Sequence, residues 1–127
     1  MSRAVYDTRF FVEFYYSRDE MLLQRMREEK KRREKYISTV VIHEVYRLTL
    51  EREGRETAAL RVRLLRQDFK AVPVTAEIAE VSAELRQRYG LSMGDSMIAA
   101  TASRLGAICI SDDPHFKRIK EIKSTWI

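Results

Sequence analysis

Apolar and polar positions along the chain follow two rhythms, one of short continuous runs and one of helical stripes. Ala4–Asp7 is a short apolar run closed by an acid and Thr8, the pattern of a buried strand that ends in a turn. Arg9–Tyr16 carries Phe10, Phe11, Phe14 and Tyr15 on one helical face. Asp19 is placed to cap a second helix, expected to run to about Lys35. Its second half is a charge run in which Glu28–Arg32 and Glu29–Arg33 have the favourable i,i+4 spacing of a solvated face. Tyr36–Ile37 reads as a very short strand, and a helix follows from about Thr39 to Glu53, stopped by Gly54. Glu56–Gln67 reads as a helix with Leu60, Leu64 and Leu65 inward, and Phe69–Val74 as a strand ended by Pro73 and Thr75. Thr75 caps a helix striped by Ile78, Val81 and Leu85 and ended by Gly90. Ser92 opens the next helix, with Ile98, Ala99, Ala102 and Leu105 inward and Gly106 at its end. Ala107–Ser111 is the clearest strand, and Ile122–Trp126 a weak final one.

Strands alternate with helices, and the clearest strand is apolar without alternation. This predicts an α/β domain whose short, mainly parallel sheet is buried on both faces. No repeat or Pro/Gly-rich linker divides the chain, so one domain is expected over residues 1–127. No apolar run approaches the roughly 18 residues of a membrane helix, and the start lacks a signal-peptide pattern. A cytoplasmic protein is expected. One cysteine, Cys109, excludes an intramolecular disulfide and a cysteine zinc site. Two histidines are too few for most catalytic zinc sites. The net charge of +5 is a mild bias towards polyanions. Seventeen of the 24 cations are arginine and asparagine is absent, a composition that suits a heat-adapted source.

Acids in expensive places carry the chemistry. Asp7 and Asp113 follow the carboxyl ends of the first and the clearest strand, where open α/β sheets bind ligands. Glu44 lies on the stripe of Val40, Val41 and Leu48, and Asp95 on that of Ile98, Ala99 and Ala102. A core-facing carboxylate is costly unless something compensates it. Each acid alone has an ordinary explanation. Asp7 can cap the segment after it, Ser92-Met-Gly-Asp95 has the form of a capping box, and Asp112-Asp113-Pro114 suits a turn. Glu44 can pair with Arg47 or reach solvent. Gathered at one end of a sheet, however, four carboxylates repel unless a cation neutralises them. All-oxygen ligation suits Mg²⁺ or Mn²⁺. The residues thus point to a divalent-metal site on an α/β domain with a basic surface.

Val5-Tyr6-Asp7-Thr8, Ile42-His43-Glu44-Val45, Gly94-Asp95-Ser96-Met97-Ile98-Ala99-Ala100 and Ser111-Asp112-Asp113-Pro114-His115-Phe116 resemble the PIN-domain family, closest to its compact prokaryotic VapC-like branch. The resemblance covers the whole length. It implies a three-layer α/β/α sandwich and a Mg²⁺- or Mn²⁺-dependent ribonuclease, often the toxin of a toxin–antitoxin pair. It also implies a homodimer and a small antitoxin whose tail covers the acidic groove. Asp7, Glu44, Asp95 and Asp113 match the family's four acids, and Ser111 its site-lining hydroxyl; Thr8 and Asp112 are taken as supporting positions. The sequence departs from the family twice. Arg9-Phe10-Phe11 stand where small and aliphatic residues are usual, and Asp112 where Asn or Arg is common. Asp112 either adds charge to the metal site or faces solvent.

The expected chemistry is metal-assisted phosphodiester hydrolysis by one or two ions. Asp7 and Asp95 are the most direct ligands, Asp113 the next, and Glu44 acts through water. Ser111 holds a water or a ligand carboxylate. His115 reads as a turn or cap residue and His43 as structural. Three rivals remain. A binding or scaffold module without catalysis would not need all four acids. An Asp7 phosphoryl-accepting nucleophile lacks the second Asp such chemistry uses. A nuclease of the same fold acting on DNA, or on RNA in housekeeping processing, has nothing against it. For RNA contact the candidate is Arg25–Lys35, and for a subunit or antitoxin contact the aromatic run Phe10–Tyr16; ordinary solvated face and ordinary core are the alternatives.

Overall fold

The computed structural model describes residues 2–127. Five strands, all paired in parallel, form one sheet: β1 (Arg3–Tyr6), β2 (Glu34–Ser38), β3 (Lys70–Val72), β4 (Ile108–Ile110) and β5 (Ser124–Thr125). Six helices connect them: α1 (Thr8–Tyr16), α2 (Glu20–Glu29), α3 (Thr39–Glu53), α4 (Arg55–Asp68), α5 (Ala76–Tyr89) and α6 (Met93–Leu105). A short 3₁₀ turn, Pro114–Arg118, follows β4. The architecture is the three-layer α/β/α sandwich expected from the sequence. The core joins sheet residues (Val5, Tyr6, Ile37, Cys109, Ile110) to helix residues (Phe10, Phe11, Val41, Ile98, Ala99). No helix of the described residues is long and apolar enough to cross a membrane.

The strand order is β3-β2-β1-β4-β5. The chain leaves β1 towards β2 and β3 on one side, then returns to place β4 on the other. The order therefore reverses between β1 and β4, and the crevice outside their carboxyl ends is where such sheets bind ligands. Asp7 follows β1 there, its amide donating to the Ile110 carbonyl at 3.1 Å, and Ser111 follows β4.

Local signals set most helix ends. The Asp19 carboxylate accepts from the Met21 and Leu22 amides, the Thr75 hydroxyl from Ile78, and the Ser92 hydroxyl from Asp95. Gly90 and Gly106 close α5 and α6 at φ of 67° and 59°, the left-handed turn that glycine adopts without a Cβ penalty.

Three expectations are corrected. The second helix stops at Glu29 rather than near Lys35, because Glu34 and Lys35 pair with Arg3 and Ala4 of β1 and begin β2. The charge run is not simply a solvated face. Glu29 is buried, bound by Arg33 and at 3.4 Å by Arg32, while Glu28 accepts from Gln24 instead. Leu60 and Leu64 are not inward but 47% and 52% exposed; only Leu65 of the three enters the core.

Tyr6 is wholly buried, its ring meeting Phe10 and Phe69 edge-on at 4.9 and 5.1 Å. Its hydroxyl has no hydrogen-bond partner, alone among the buried side-chain polar atoms of the described residues. A desolvated hydroxyl without a partner costs about 1–3 kcal/mol, whereas the ring contacts survive its removal. Tyr6→Phe is therefore expected to raise the unfolding free energy by about 1 kcal/mol in a urea titration. A loss of stability would show that the hydroxyl makes a bond worth keeping.

Candidate active site

The four acids come together at the carboxyl end of the sheet, linked by a nearly continuous ring of contacts. Asp7 is buried. Its Oδ2 accepts from the Ser111 hydroxyl at 2.6 Å and its Oδ1 from the Thr8 amide at 2.8 Å. The Ser111 hydroxyl in turn accepts from the Asp113 amide at 3.0 Å. Asp113 caps the 3₁₀ turn, its Oδ1 accepting from the His115 amide at 2.9 Å. One ligand atom from each of Asp95, Asp113 and His115 lies within 4.8 Å of the other two. On the far side, the Thr8 hydroxyl donates to Glu44 Oε1 at 2.5 Å. A Cβ on Gly94 would sit 3.3 Å from Glu44 Oε2, so the glycine lets Glu44 of α3 lie against the start of α6.

The ordinary explanations and the chemical one therefore coexist. Asp7 does cap α1, and Asp113 the 3₁₀ turn. Asp95 sits at the start of α6, where the helix dipole favours a negative charge, but Ser92 supplies the cap. Glu44 is held by Thr8 rather than Arg47.

Electrostatics marks the set as under-neutralised. Burial pushes the Asp7 carboxyl up to about 6, and the charges of Asp95 and Glu44 add to the rise. The bonds from Ser111 and the Thr8 amide oppose it. Asp95 is raised by burial and by Asp113. Among the described residues no Lys or Arg forms an ion pair with Asp7, Glu44, Asp95 or Asp113. Converging carboxylate oxygens, strained by mutual repulsion and left without a Lys or Arg partner, are a donor set that fits a hard divalent cation.

A family model for the PIN domain matches residues 4–122. The chain belongs to the PIN-domain family. No curated protein matches it in sequence. Among solved structures it is similar to VapBC2 of Rickettsia felis bound to a DNA fragment from its promoter, with a TM-score of 0.82 and 16% identity over 98% of each chain. DNA-bound VapBC of Salmonella typhimurium gives 0.81 and 17%, over 99% of this chain and 98% of the other. Mycobacterium tuberculosis VapC20, a sarcin-ricin loop cleaving toxin, gives 0.74 and 20%, over 91% and 93%. At these identities the likeness is one of fold, that of the compact VapC-like PIN proteins.

Within this PIN domain the two departures from the family pattern explain each other. Arg9 and Asp112 form a two-armed ion pair at the rim of the acidic site: Nε meets Oδ1, and the terminal nitrogen reaches Oδ2 at 3.2 Å. Asp112 is thus occupied by Arg9. Phe10 and Phe11 are buried in the core, so the aromatic run is half core; Phe14, Tyr15 and Tyr16 remain partly exposed. Sequence reasoning missed two participants. Gly94 is a spacer whose signal was its place beside Asp95. His115, read as a turn residue, puts its Nδ1 2.8 Å from Asp113 Oδ1; its signal was a two-residue spacing from an acid on a capped turn. His43 is exposed on α3 and outside the acid set.

Proposed function

We propose that this protein is a divalent-metal-dependent endoribonuclease, the toxin of a toxin–antitoxin pair, working as a single domain over residues 1–127. The observation that carries the reading is the under-neutralised carboxylate ring at the sheet's switch point in a PIN domain. Asp7, Asp95 and Asp113 hold Mg²⁺ or Mn²⁺. Glu44, fixed by the Thr8 hydroxyl, orients a water for in-line attack. Ser111 keeps the Asp7 carboxylate turned into the site. When bound, the ion supplies a Lewis acid that polarises a phosphoryl oxygen and lowers the pKa of a water. Arg9, exposed and held by Asp112, presents guanidinium N–H donors beside the acids, where a phosphate of the substrate would arrive.

A protein partner is supported by two observations. The structures to which the fold is similar include toxin–antitoxin complexes. An apolar groove between α1 and α4, lined by Phe11, Phe14, Tyr15, Leu64 and Phe69, is bordered by exposed Leu60. The occupant proposed for it is an apolar helix face of the antitoxin; the toxin itself works as a homodimer.

The deciding experiment is RNA cleavage with the ion controlled. Purified protein stripped with EDTA is expected to leave RNA intact, and added Mn²⁺ or Mg²⁺ to restore cleavage. Equal cleavage in excess EDTA would overturn the metal-dependent reading. Cleavage of DNA but not RNA would keep the ion and change the substrate.

A further inference from the structure

We infer that His115 is a nitrogen ligand of the proposed metal site and that it tilts the site towards Mn²⁺ over Mg²⁺. The inference rests on the proposed metal dependence and revises its all-oxygen donor set. The backbone fixes where the imidazole must be. Asp113 caps the 3₁₀ turn, Pro114 occupies its first position, and Phe116 is buried beneath it. His115 is thereby presented on the outer side of the turn, its amide bonded to Asp113 and its ring turned back to the same carboxylate.

The His115–Asp113 spacing fits one ion, and Asp95 lies within a small side-chain movement of it. With bonds of about 2.1 Å, neighbouring ligands of an octahedral cation lie about 3 Å apart and opposite ones about 4.2 Å. His115 Nδ1 and Asp113 Oδ1 are 2.8 Å apart, and Asp95 completes a set whose members all lie within 4.8 Å. The Nδ1–Oδ1 contact of the free protein is therefore an edge that an ion could take up in the loaded one. The ring is 58% exposed, so no packing prevents that exchange. First-row transition ions accept imidazole nitrogen, Mn²⁺ least strongly among them, while Mg²⁺ favours oxygen and keeps its waters. A nitrogen here strengthens Mn²⁺ binding and does little for Mg²⁺.

Nitrogen coupling to bound Mn²⁺, read by pulsed electron paramagnetic resonance on the intact protein, tests this without reference to activity. The Mn²⁺-loaded protein is expected to show ¹⁴N coupling, which His115→Gln abolishes and His43→Gln leaves in place. Calorimetry should find Mn²⁺ binding weakened about tenfold in His115→Gln, with Mg²⁺ binding changed much less. If Mn²⁺ binds without ¹⁴N coupling, or the Mn²⁺-to-Mg²⁺ preference is the same in His115→Gln, the imidazole is only a surface partner of Asp113. The carboxylate site would then stand and this inference fall. If neither ion binds the unaltered protein, the metal reading itself fails, and this inference with it.

Discussion

Asp95→Asn is expected to lower RNA cleavage by about a hundredfold or more, yet to leave the metal-free protein at least as stable as before. The two effects have one cause. Asp95 faces Asp113 and contributes to the raised pKa of Asp7, so its charge works against folding until a cation arrives. The amide keeps the shape and drops the charge. Helix α6 does not suffer, because its cap is the Ser92 hydroxyl, accepting from the residue 95 amide at 3.2 Å. A ligand at a hundredfold excess over its dissociation constant stabilises by about 2.7 kcal/mol, or about 10 °C in a chain of this size. The mutant should lose most of that gain. Melting curves of both proteins, in EDTA and in Mn²⁺, decide the matter. A mutant that melts several degrees lower in EDTA and gains as much from Mn²⁺ would make Asp95 a structural residue.

Acidity offers a check on the same balance. Asp7 titrates near 6 in the folded protein against about 3.9 in an unfolded chain. A raised carboxyl binds its proton more tightly in the native state, so ionisation works against folding. The stability of the EDTA-treated protein should therefore fall as pH rises from about 4 to 6, by roughly 2–3 kcal/mol from Asp7. The penalty persists at higher pH, and a divalent ion offsets it there. Asp95→Asn should make this fall smaller, because one of the charges that raise Asp7 is gone.

Arg33→Met is expected to cost about 3–5 kcal/mol of stability, the largest effect of any single change outside the core. Its partner Glu29 has a side chain only 1% exposed, and Arg33 itself is 16% exposed. Removing the guanidinium leaves a carboxylate with no water and no adequate partner. Arg32 cannot take over, because it is 65% exposed and touches Glu29 only at 3.4 Å. The double change Glu29→Met/Arg33→Met should recover most of the loss, since a buried ion pair is often no better than well-packed apolar groups. Urea unfolding of the three variants measures this. A single-mutant loss below about 1 kcal/mol would mean that Glu29 reaches solvent readily. The pair also decides how RNA contact is tested. Charge reversal at Arg33 would unfold the protein before it reported on RNA, so exposed Arg25 and Arg27 are the positions to reverse. Loss of affinity and a shallower salt slope there would place α2 on the RNA path.

By itself the sequence determined what depends on near neighbours. Asp19, Thr75 and Ser92 cap their helices, and Gly90 and Gly106 end theirs, because capping bonds and left-handed turns are settled within a few residues. The apolar runs of β1 and β4 and the inward acids on α3 and α6 were legible for a similar reason. Period and burial cost are properties of a short stretch, and four misplaced acids announce a shared site before any fold is drawn. Only the tertiary structure decided what depends on partners far along the chain. Pairing with β1 takes Glu34 and Lys35 out of a helix that local charge spacing favours. Glu29, just before that strand, is buried with Arg33 as its partner. Arg9 meets Asp112 across 103 residues, so two departures that looked independent become one ion pair. Gly94 makes room for Glu44, and Asp95 with Asp113 gives His115 a setting that its own neighbours do not reveal. Such contacts depend on three-dimensional proximity, which closing the sheet creates and which no window of sequence contains.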